Sequence, residues 1–114
     1  MAVKAAEWLA AVQEAASQHL PHSIIRSEVL RKTRVKVRID ISEDVFADLF
    51  FREETGRVDY TLVVLGLRYY GIDNLGEWHE HPVGHPHLHV PVSPLTPVAA
   101  IQRLSKAVEG LPAS

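Results

Sequence analysis

The run Glu77-Trp78-His79-Glu80-His81-Pro82-Val83-Gly84-His85-Pro86-His87-Leu88-His89 puts five of the chain's seven histidines inside eleven residues. Imidazole changes charge near neutral pH, and its bare nitrogen is a good metal ligand. Three readings follow. In the first, one or two histidines act as acid and base in phosphodiester transfer, with arginines stabilising the charge on phosphorus. In the second, histidines bind a metal. Residues i and i+2 of a strand face the same way, so His79 with His81, or His87 with His89, present two imidazoles each. Glu77 or Glu80 could add a carboxylate for zinc or another first-row ion. In the third, the histidines hydrogen-bond a proline-bounded loop and line an interface. His79-Glu80-His81 is not the helical H-E-x-x-H motif, and the prolines exclude a helix there.

Cations come next. Arg34, Lys36 and Arg38 alternate with Val35, Val37 and Ile39, so they share one strand face with roughly 6.5 to 7 Å between neighbours. Such a ladder could track a phosphate backbone, or be a solvated face paired with Asp40 and Asp48. Arg68 precedes the Asp73-Asn74 turn that delivers the histidines. It could clamp a phosphate bidentately or hold the turn through Asp73. Asp73 could also orient an imidazole, and either turn residue could cap loop backbone. Tyr69, Tyr70 and Trp78 could stack on bases or belong to the core.

The elements that must position these groups are legible in outline. Ala5, Trp8, Leu9, Val12, Ala15 and Ala16 recur at helical spacing, and Pro21 ends that helix. From Ile24 the period shortens to two. Strands are expected through residues 34–41, 45–52, 57–65 and 67–72, with Gly56 in a hairpin turn. Residues 75–97 hold five of the seven prolines and read as a shaped loop with a short edge strand near 87–92. Thr96 reads as an N-cap with Pro97 at the first helical position, and Gly110 stops the final helix. The expectation is one α+β domain over 1–114. It has an N-terminal helix, an antiparallel sheet of about four to five strands, a His/Pro-rich loop and a C-terminal helix, both helices on one sheet face.

The bulk numbers are those of an ordinary globular chain. It has 114 residues, 46% hydrophobic and 23% charged, with a net charge of −2. No global basic excess argues for nucleic acid. There are no cysteines, which excludes thiolate chemistry and fits a cytoplasmic protein. No apolar run approaches the roughly 18 residues of a membrane span.

Arg68-Tyr69-Tyr70-Gly71-Ile72-Asp73-Asn74, followed by Pro86-His87 and His89, resembles the TumE-type toxin family of toxin–antitoxin pairs. The resemblance covers roughly residues 34–89. The insert from Trp78 to Pro82 and the helix after residue 96 depart from it. It implies a metal-independent RNA endonuclease neutralised by a partner antitoxin. On this reading His87, His89, Arg68 and Asp73 are catalytic, and Arg34, Lys36, Arg38, Tyr70 and Asn74 meet RNA. A homodimer is a further partner it admits, and no membrane is involved. No cofactor is then required. The alternatives are a zinc-type site using His79, His81 and His85, or a non-catalytic interaction module.

Overall fold

A computed structural model describes residues 3–112. Helix α1 (Ala5–His19) comes first. Seven strands follow: β1 (Ile24–Arg31), β2 (Arg34–Ser42), β3 (Val45–Arg52), β4 (Arg57–Val64), β5 (Leu67–Asp73), β6 (His79–His81) and β7 (Val90–Pro91). Helix α2 (Pro97–Glu109) closes the chain. Every strand pairs antiparallel with the next, so the sheet is a meander in sequence order.

The expected count of four to five strands is therefore wrong: the sheet has seven. Strands β1 and β6 lack the alternation that betrays one buried face, and β7 falls within the short edge strand expected near 87–92. Almost all of β1 is exposed, as befits an edge. Strand β6 is only His-Glu-His, and β7 is two residues long with Pro91 at the outer edge, where a missing N–H costs no ladder bond.

The middle strands alternate strictly. Val35, Val37 and Ile39 of β2, Ala47, Leu49 and Phe51 of β3, and Tyr60 and Leu62 of β4 turn one face inward. Both helices cover that face. They contact each other most, with α1 reaching β2 and β3 and α2 reaching β4 and β5. Trp8 stacks on Phe51 at 5.3 Å and its Nε1 donates to the Tyr60 hydroxyl at 3.1 Å. Burial pushes the Tyr60 phenol well above its usual range. From α2, Ile101 and Leu104 are fully enclosed.

The caps follow from local chemistry. Glu53, in the β3–β4 turn, accepts from the Ala5 amide at 2.7 Å, placing a carboxylate at the positive end of α1. The Thr96 side chain accepts from the Ala99 amide at 3.2 Å, and Pro97 opens α2. With both helices on one side, the opposite sheet face stays uncovered. His79 and His81 project from that face.

Candidate metal centre on the open face of the sheet

Cross-strand register builds the site. Asp59 of β4 pairs with Asp73 of β5, which pairs with His79 of β6. In the next row Thr61 pairs with Gly71, and Gly71 with His81. Directly paired residues share a face, so Asp73, His79 and His81 all project from the open side. Glu80, between the histidines, projects inward. Its Oε2 accepts from the Tyr70 hydroxyl at 2.7 Å and from Arg103 of α2 at 3.1 Å. These two bonds hold a strand that has no apolar residue of its own.

The loop after β6 folds back over it. Gly84, at φ +75, sends its amide to the Tyr69 carbonyl at 2.9 Å. The chain then returns His89 to the cluster. Its ring stacks on His79 at 4.5 Å between centroids and meets His81 edge-on at 4.6 Å. One nitrogen from each of His79, His81 and His89 lies within 4.8 Å of the other two.

Hydrogen bonds occupy one ring nitrogen of His79 and one of His81. His79 Nδ1 lies 2.8 Å from the Glu77 carbonyl, and His81 Nδ1 lies 3.0 Å from the Pro86 carbonyl. A carbonyl only accepts, so each Nδ1 carries the proton. In the neutral rings each Nε2 is then a bare lone pair. Yet His79 Nε2 faces Asp73 Oδ1 at 3.2 Å, and His81 Nε2 faces Asp73 Oδ2 at 3.1 Å. Both contacts are within hydrogen-bond reach, and the same two nitrogens and two carboxylate oxygens are also close enough to share one metal ion. Around a tetrahedral ion with bonds of 2.0–2.1 Å, ligand atoms stand about 3.3–3.4 Å apart. The two imidazole–carboxylate separations are close to that, while the three imidazole nitrogens lie within 4.8 Å of one another. Ligating histidines that donate their other N–H to backbone carbonyls are the usual arrangement at metal sites.

Asp73 is itself held. Its Oδ1 accepts from the Leu75 amide at 3.0 Å, and Arg68 Nη2 stands 3.8 Å from Oδ2. Asp73 and His81 are the two buried polar residues of the described chain, so the pair sits where water competes least.

The remaining residues singled out in the sequence are scattered around this centre. His87 borders the same cleft of about 600 Å³ but stays outside the trio, and His85 is exposed away from it. The structure thus groups His89 with His79 and His81, across the division drawn from sequence. Arg34, Lys36 and Arg38 project from the open face of β2. Arg38 pairs with Asp48 at 3.1 Å and lies over Phe46 at 4.0 Å; the hydrogen bond it donates to Asp48 makes its proton harder to lose.

Two residues that the resemblance assigns to RNA contact have structural bonds in the fold. Tyr70 is buried on the helix side and its hydroxyl is committed to Glu80. Burial, and next the Glu80 carboxylate, push its phenol up. Asn74 Oδ1 accepts from the Val58 amide at 2.8 Å and its Nδ2 donates to the Gly56 carbonyl at 3.0 Å, closing the β3–β4 turn. Arg57 and Asp59, absent from the sequence reading, line the cleft beside Arg68. Their only advance signal was the outward half of the β4 alternation.

No protein-family model, curated protein or solved structure matches the chain. No helix among the described residues is long and apolar enough to cross a membrane.

Proposed function

We propose that this domain binds a divalent first-row metal ion through His79, His81 and His89, with the Asp73 carboxylate balancing its charge. The observation that carries this reading is the pair of Nδ1–carbonyl hydrogen bonds, which leave both Nε2 lone pairs turned on one carboxylate. Three imidazoles suit zinc and its neighbours better than magnesium or calcium, which prefer oxygen. His89 is exposed, so the ion faces the cleft, where it can polarise a bound oxygen as a Lewis acid.

Elemental analysis and calorimetric titration of untagged protein with zinc test it. One ion per chain, lost in His81→Ala, is the expected result. A protein that holds no metal and is not stabilised by zinc, nickel or cobalt overturns it.

A second reading, the metal-independent ribonuclease of a toxin–antitoxin pair, is favoured by the cleft that gathers His87, His89 and Arg68. The two make opposite demands on His89: a ligand nitrogen has no free lone pair for proton transfer. RNA cleavage that persists in chelator and is abolished by zinc would favour the ribonuclease. A zinc-bound protein inert toward RNA under both conditions would remove it.

A further inference from the structure

We infer that Arg57 and Arg68 form a binding site for a phosphate group on the cleft side of the metal centre. The inference deepens the metal-binding reading and rests on it for the third positive charge. Both arginines line the cleft that also holds Asp73, His79 and His89. The Nε atoms of both are buried and have no hydrogen-bond partner among the described residues. A buried N–H donor without an acceptor is costly, and a ligand oxygen would supply what the chain does not.

Arg68 is placed without being satisfied. Its Nη2 lies 3.8 Å from Asp73 and 4.0 Å from Asp59, too far for hydrogen bonds. Its guanidinium lies over Gly71, where a Cβ would come within 3.1 Å of Nη2 and 3.2 Å of Nε. The glycine leaves the space that lets this side chain lie flat on the sheet. With a metal ion taking up the charge of Asp73, the guanidinium is free to hold another anion.

A row of like charge leads to the cleft, whose own lining also includes Asp59, Asp73 and Glu77. Arg31 pairs with Arg34, Arg34 with Arg52, and Arg52 with Arg57, so four arginines cross four neighbouring strands in one row. Like charges directly opposed across strands are destabilising, and an anion beside the row relieves that. The row ends at the cleft. Guanidinium forks match the oxygens of a tetrahedral phosphate, and a divalent ion next to them can take a further oxygen.

The test uses the full chain loaded with one equivalent of cobalt(II) and dialysed free of excess. Inorganic phosphate is titrated in and followed by phosphorus NMR, with zinc-loaded protein as the diamagnetic reference. The phosphate signal should broaden with the cobalt protein only. Arg57→Ala and Arg68→Ala should each weaken phosphate binding about tenfold or more, with cobalt affinity within about threefold of the parent. Arg26→Ala, on the far edge strand, should keep both. Should Arg68→Ala fold poorly, Arg57→Ala alone carries the same expectation. Cobalt uptake without phosphate broadening, or broadening that survives loss of the arginines, overturns the phosphate site and leaves the metal reading standing. Failure to take up cobalt, seen before any phosphate is added, overturns both.

Discussion

At the residue scale, His87 and His89 lie two positions apart in one loop, yet their surroundings differ. His89 sits against His79 and His81, whereas His87 only borders the cleft. Both are exposed, so replacing either by alanine should change stability by no more than about 0.5 kcal/mol. Zinc titration should separate them. His89→Ala should lose a hundredfold or more in affinity, since even outer contacts of metal sites cost about 10–100-fold. His87→Ala should stay near the parent value. Equal losses would mean that the trio is not the ligand set. Gly71 allows a complementary check. In Gly71→Val the new side chain displaces the end of Arg68, a flexible group, so the fold should survive. Phosphate affinity should then fall while zinc affinity holds, both read by calorimetry.

At the element scale, β6 is a carrier: two outward imidazoles on a strand fastened by its inward Glu80. Glu80→Ala removes the acceptor shared by Tyr70 and Arg103 without touching a ligand. It should weaken zinc binding several-fold and cost about 1–3 kcal/mol in urea unfolding. An unchanged zinc affinity would show that β6 needs no such fastening. This strand also marks where sequence reading stops. The alternation of Val35, Val37 and Ile39, the Thr96-Pro97 cap and the turn at Gly56 are local patterns, visible without coordinates. That His79 and His81 share a face is local too. Which carboxylate stands opposite them depends on the pairing of β5 with β6, and the return of His89 depends on the loop fold around Gly84. Neither leaves a periodic trace. Tyr70 reads as either site or core in the sequence for a related reason. Its neighbours in the chain suggested a site, while a bulge between Leu62 and Val63 in the β4–β5 pairing governs which side the strand offers.

For the whole molecule, metal binding and folding are linked. An ion bound only by the folded chain adds about 2.7 kcal/mol at a hundredfold excess over its dissociation constant. For a domain of this size that raises the melting temperature by roughly 10 °C. Ligating nitrogens must be unprotonated, so protons compete with the ion. The zinc-dependent rise should be full at mildly alkaline pH, shrink as pH falls and vanish in acid. Differential scanning calorimetry with zinc and with chelator measures it. A rise that persists in acid would place the ion on groups other than imidazole.

The sequential order of the meander has one more consequence. The first five strands are seven to nine residues long and hold the long registers, while β6 and β7 are short and close the far edge. That end can open on its own, as a cooperative unit smaller than the domain. Amide protons of residues 79–91 should therefore exchange with deuterium far sooner than those of β2–β4 in metal-free protein. Zinc should slow that exchange selectively, because each opening must first release the ion. A domain built this way would carry its own record of metal occupancy in the breathing of a single sheet edge.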